Sequence, residues 1–192
     1  MKNNNIKKMA GISIFAAIVI VLQLLANYIT IGQISITLAL IPIAMGAIIY
    51  GPIAGLFLGL IEGVVVILAP STLSLFIPFS AFGTIIVCLL KSGLAGLISG
   101  LIFNLFKNKN FNLAIILASI IVPIVNTGLF AISCLTIFLP LIESFYQSSD
   151  SVNLYSYLFL VFIGFNFIIE FIINSALSPT IIKLTKLHDK LS

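Results

Sequence analysis

Charge is the scarcest commodity in this chain. Asp, Glu, Lys and Arg together make up 7% of its 192 residues, against about 25% in a typical water-soluble domain. With 61% of residues hydrophobic, too little polar surface remains to face water, and a soluble globular fold is excluded. Arginine and tryptophan are absent, so no indole can stack on a ligand. Histidine occurs once, as His188 in the polar C-terminal tail, where solvation is expected. The two cysteines, Cys88 and Cys134, fall inside apolar runs and read as small buried residues. They lack the spacing and partners of a metal site, and no metal or cofactor is expected. No Walker-type phosphate loop, HExxH motif or GxSxG elbow occurs. The chain is therefore expected not to be an enzyme and to have no ATPase site of its own.

What is present is a succession of apolar runs from Met9 to Pro179. Runs near or above about 18 residues read as transmembrane helices, because backbone polar groups in hydrocarbon must be satisfied internally. The alternation of a membrane barrel strand is missing. The expected fold is an all-α integral membrane protein, one membrane domain over residues 1–192 with six transmembrane helices. The spans are expected at Met9–Ala26, Ile36–Tyr50, Pro52–Ala69, Ala81–Phe106, Asn112–Leu139 and Tyr155–Ser178. The first follows Lys2, Lys7 and Lys8 like a signal peptide, but it is long and ends in Ala26-Asn27-Tyr28 rather than a small-x-small site, so it reads as a retained helix. The second is short and contains Pro42, which suggests a kink or shielding by neighbours. Gly51-Pro52 reads as a tight turn. The longest polar stretch, Glu143 to Asn153, reads as a loop.

The net charge of +4 is topology information, not a nucleic-acid signal. Lys2, Lys7 and Lys8 precede span one, Lys107 and Lys109 lie between spans four and five, and Lys183, Lys186 and Lys190 follow span six. With six spans these places share one side, and the loops opposite hold Glu143 and Asp150 but no lysine. The positive-inside rule then puts both termini in the cytoplasm. Among the outer connections, Ala69–Phe82 carries Ser71, Thr72, Ser74, Pro78 and Ser80 and reads as either a fold-back lid or a plain connector.

Three charged residues stand inside expected spans: Glu62, Lys91 and Glu170. Each is costly in hydrocarbon unless paired, hydrated or facing a cavity. Counting about 1.5 Å per residue, Glu62 and Lys91 fall in the outer third, Asn126, Thr127 and Asn166 lie deeper, and Glu170 is one helical turn below Asn166. This pattern predicts a polar cavity opening outward, with Glu62 and Lys91 above and the amides as its floor. The alternative is that Glu62 pairs with Lys91, and Asn126 with Asn166, to tie helices together. Small residues mark helix contacts: Gly51, Gly55, Gly59 and Gly63 in span three, Gly93, Gly96 and Gly100 in span four, and Ala10, Ser13 and Ala17 in span one.

Four segments, in order, resemble one family. These are Tyr50-Gly51-Pro52-Ile53-Ala54-Gly55 continuing to Gly59 and Glu62; Lys91-Ser92-Gly93-Leu94-Ala95-Gly96-Leu97; Pro123-Ile124-Val125-Asn126-Thr127; and Asn166-Phe167-Ile168-Ile169-Glu170 followed by Asn174 and Ser178-Pro179. Together they resemble the substrate-binding S component of an energy-coupling factor (ECF) vitamin transporter. The resemblance implies high-affinity binding of a water-soluble vitamin or related small molecule at the outer side of the bacterial cell membrane. It also implies association with a transmembrane T subunit and two ATP-binding subunits. The family's first helix docks the T subunit through small residues, typically Ala-x-x-x-Ala. The nearest match here is Ser13-x-x-x-Ala17, with Ala10 a turn before. Lys91 is expected to meet an acidic or electron-rich ligand group, and Asn126 or Asn166 to read a polar edge. Both signs of charge would suit pantothenate or a pyridoxine- or pyrimidine-type compound. Two other classes remain open: a stand-alone proton-coupled secondary transporter using Glu62 and Glu170, and a structural membrane subunit without a ligand.

Overall fold

A computed structural model describes residues 2–28, 30–31, 34–35, 37–147 and 153–191. It is almost wholly helical. Helix α1 spans Lys2–Ala26 and leads into a minimal antiparallel hairpin, β1 (Thr30–Ile31) with β2 (Ile34–Ser35), in which Thr30 faces Ser35. Helices α2 (Leu40–Tyr50) and α3 (Pro52–Ile67) follow. A π-helical turn, Thr72–Phe76, runs into the short α4 (Ile77–Phe79). The long α5 (Ala81–Phe106) and α6 (Phe111–Thr136) come next, then α7 (Leu139–Gln147). The chain ends in the turn α8 (Leu154–Ser156), a second π turn (Tyr157–Phe162) and α9 (Gly164–Leu191).

Local chemistry sets these boundaries. Gly51 adopts φ +98°, a conformation that side chains disfavour, and Pro52 then occupies the first turn of α3, where no backbone donor is needed. Ser80 caps α5 by accepting from Gly83 N at 3.3 Å, and Asn110 caps α6 by accepting from Leu113 N at 3.0 Å. Such caps satisfy donors that a helix start leaves orphaned.

Among the described residues, four stretches are long and apolar enough to cross a bilayer: Asn5–Ala26, Ala81–Phe106, Phe111–Thr136 and Leu154–Leu177. A fifth is gained if Pro52–Ile67 and Thr72–Phe79, bent by 68°, count as one crossing. Helix α2 has 11 residues, or about 16 Å, roughly half a hydrocarbon core.

Several sequence expectations change here. The helix expected from Ile36 begins at Leu40, and Ile36 itself lies outside the described residues. Pro42 falls in the first turn of α2, where it needs no kink. The polar stretch from Glu143 is helical as far as Gln147, and Asp150 lies outside the described residues. The connector after α3 is a bent helical segment. The expected C-terminal tail around His188 is a continuation of α9.

Contacts fix which ends lie together. A Cβ on Gly11 would meet Tyr50 Oη, and one on Gly100 would meet Pro52. Phe103 stacks edge-on against Phe111 at 5.8 Å, and Ile181 packs with Ile48 and Ala114. The lysines Lys7, Lys8, Lys107, Lys109 and Lys183 therefore belong to one end of the bundle. At the opposite end Phe76, Phe138, Ile142 and Tyr157 form a second core, and a third, around Leu40, Leu58, Ala95 and Val122, lies between.

Helices α3 and α5 meet along a glycine seam. A Cβ at Gly55 would strike the carbonyl of Gly96, one at Gly59 the carbonyl of Ser92, and one at Gly63 the carbonyl of Cys88. Backbone touches backbone, the close approach that small residues permit in an apolar environment.

Candidate functional site

Between the middle core and the lysine-free end lies a polar cavity inside otherwise apolar helices. It offers about 60 Å³ to the centres of water molecules, several times the about 10–15 Å³ that one water needs. That is room for a molecule of several heavy atoms. Five of the six residues expected to line such a cavity do so: Lys91, Asn126, Thr127, Asn166 and Glu170. The sixth, Glu62, does not. It is wholly buried beside the glycine seam, and both of its carboxylate oxygens lack a hydrogen-bond partner among the described residues. Depth along a helix leaves the direction around the axis open, and Glu62 sits beside the seam rather than on the cavity wall.

Lys91, on α5, donates through Nζ to Asn126 Oδ1 on α6 at 3.2 Å, and Ser92 Oγ approaches the same oxygen at 3.5 Å. The two helices are also tied by Ser99 Oγ donating to Ala118 O at 2.8 Å. The suggested Asn126–Asn166 pair does not form. Both amide atoms of Asn166 are buried and without a partner among the described residues.

Glu170, on α9, is engaged on both oxygens. Oε1 accepts from the backbone N–H of Thr37 at 2.8 Å, and Oε2 from Thr127 Oγ1 at 3.3 Å. Asn174, one turn on, donates Nδ2 to the Glu170 carbonyl at 2.9 Å. Glu170 therefore does not lie beneath the cavity floor. It clasps the chain just before α2, at the buried Thr37.

Gln23 and Thr37 also line the cavity and are missing from the sequence expectation. Gln23 is 1% exposed. Its Nε2 donates to Asn27 Oδ1 at 3.0 Å, while Oε1 has no partner among the described residues. Asn27 Nδ2 in turn reaches the carbonyl of Val65 at 3.4 Å. A polar residue inside span one is the same signal that identified Lys91, and it would have found Gln23. Thr37 contributes a backbone N–H, which carries no sequence signature.

The opposite wall is aromatic. Phe76 lies edge-on to Phe138 at 5.1 Å and to Phe130 at 5.9 Å, and all three line the cavity. Phe76 comes from the π turn after α3, and Phe138 from the break between α6 and α7. Cys88 lines the same space, whereas Cys134 is packed into the aromatic core; both are free thiols.

The strip Ala10, Ser13 and Ala17 lies on the exposed face of α1. Met9 (68% exposed) and Ile14 (60%) flank it.

Comparison with curated proteins and with solved structures gives no match. The family described as ECF transporter, substrate-specific component, does match, over residues 7–182. That match takes in every cavity residue described above and all of the helices but the ends of α1 and α9, and the chain belongs to the family of substrate-specific components of ECF transporters.

Proposed function

We propose that the cavity is the substrate site of this component, and that it takes up a small water-soluble, vitamin-like molecule from outside a bacterial cell. The observation that carries this reading is the set of unpartnered buried polar atoms around the cavity, on Asn166 and Gln23. Polar groups buried in an apolar bundle cost free energy unless something pairs with them, and a polar ligand supplies the missing partners. Lys91, Asn126, Thr127, Asn166 and Glu170 contact or orient that ligand. Glu62 stays behind the wall, buried beside the glycine seam.

In the same reading the chain crosses the membrane six times with both termini in the cytoplasm. The half-length α2 completes its crossing through the segment that holds Thr37. The lysines grouped at one end of the bundle favour that orientation under the positive-inside rule. The cavity then lies toward the outer face, closed by the Phe76–Phe138 contact and the clasp on Thr37. The exposed strip Ala10, Ser13 and Ala17 docks a transmembrane T subunit, and two ATP-binding subunits supply the energy for inward release.

Mass spectrometry of small molecules released by denaturing the gently purified protein tests the reading. One stoichiometric vitamin-like compound is the expected result. Its repeated absence after growth in rich medium, together with failure to co-purify ATPase subunits, would sink it.

A further inference from the structure

We infer that the cavity recognises a neutral planar ring through an adjacent donor–acceptor pair, as in a carboxamide or amino-azine, read by Asn166, and does not bind its ligand as an anion. This rests on the cavity being the substrate site, and it narrows the substrate class.

The first observation is Asn166 itself. It is 6% exposed, lines the cavity, and leaves both Oδ1 and Nδ2 without a partner among the described residues. A carboxamide with both atoms free presents one acceptor and one donor in a plane. Its best match is a ligand edge with the same two functions reversed, the geometry by which Asn and Gln read adenine. A carboxylate has only acceptors and leaves Asn166 Oδ1 unsatisfied.

Charge is the second observation. Among the described residues, the charged side chains buried in the bundle are two carboxyls, Glu62 and Glu170, and one amine, Lys91. The Nζ of Lys91 is already turned to Asn126 Oδ1. A ligand carboxylate would share a small cavity with the buried carboxyl of Glu170, where water cannot screen like charges.

The third is shape. Phe76, Phe130 and Phe138 form a corner of edge-on rings on one wall, which suits a flat ring. The remaining N–H donors of Lys91 then reach a ring nitrogen or hydroxyl, and the free Oε1 of Gln23 accepts a second donor.

The test uses the full chain in detergent, freed of co-purified small molecules, with thermal unfolding and titration calorimetry as readouts. Nicotinamide and cytosine are the neutral probes. Nicotinate, with the ring of nicotinamide and a carboxylate in place of its amide, is the matched anion. The neutral probes should raise the unfolding temperature and nicotinate should not. Asn166→Asp, which keeps the shape but removes the donor, should weaken the neutral probes roughly tenfold to hundredfold. Asn166→Leu should do the same, and the unfolding temperature without a probe serves as the folding control for both. Protection by nicotinate equal to that by nicotinamide would overturn the inference, as would neutral-probe binding untouched by both variants. If the molecule released from the purified protein is an acyclic anion, the inference fails while the substrate-site reading stands. If no probe binds and no molecule is released, both fall.

Discussion

Lys91 and Asn126 face each other across the α5–α6 contact, the ammonium 3.2 Å from the amide oxygen. Asn126 therefore acts through Lys91: it holds the ammonium that lines the cavity at a fixed place. Lys91→Ala and Asn126→Ala should each weaken ligand binding. Their effects should overlap in a double variant, with a coupling of about 0.5–3 kcal/mol, as found for residues in contact. Calorimetry on the four proteins measures this, and simple additivity would separate the two residues.

Glu170 and the Thr37 backbone N–H form the clasp that holds the segment after the hairpin. Glu170→Ala should remove protection of the Thr37 amide in hydrogen exchange and speed ligand dissociation. Glu170→Gln keeps an acceptor oxygen and should retain most of the protection. Equal loss in both variants would argue that charge, rather than the acceptor, holds the strap.

Two glycines with opposite surroundings give a paired prediction. A Cβ on Gly59 would collide with the Ser92 carbonyl, whereas one on Gly128 meets nothing within 4 Å. Gly59→Ala should destabilise by about 1–3 kcal/mol, the usual cost of overpacking. Gly128→Ala should be neutral or stabilise by up to about 1 kcal/mol, through helix propensity. Thermal unfolding in the same detergent compares them.

Cys88 lines the cavity while Cys134 is buried among aromatic rings. A small methanethiosulfonate reagent should modify Cys88 in the ligand-free protein and be blocked when ligand is bound. In Cys88→Ser the remaining thiol should stay unreactive until unfolding. Mass spectrometry of the labelled protein reads both.

Docking should be separable from binding. Ser13→Leu and Ala17→Leu place bulk on the exposed face of α1, far from Lys91 and Asn166. Ligand affinity should stay unchanged while ATP-driven uptake in the assembled complex falls by tenfold or more (about one tenth, if 1.4 kcal/mol of docking energy is lost). Unchanged uptake would move the docking face elsewhere.

Much of this was legible because apolar surroundings make polar residues conspicuous. Lys91, Asn126, Thr127, Asn166 and Glu170 announced themselves by the cost of their burial, and the glycine spacing of α3 and α5 marked their contact. The rest was hidden for identifiable reasons. Glu62 is buried beside the seam and off the cavity wall, since counting residues gives depth and not direction around the axis. The 68° bend after Ile67 and the early end of α6 depend on tertiary packing that helix propensity does not encode. The role of Thr37 belongs to its main chain.

The glycine seam has a consequence for movement. Side chains adapt by changing rotamer, but the peptide planes that α3 and α5 press together have no such freedom. Those two helices form a beam that neither bends nor parts without losing its whole contact at once. A path for the ligand has to be hinged elsewhere, on the side where a wide π turn leads up to α9 and where a single carboxyl group holds the strap.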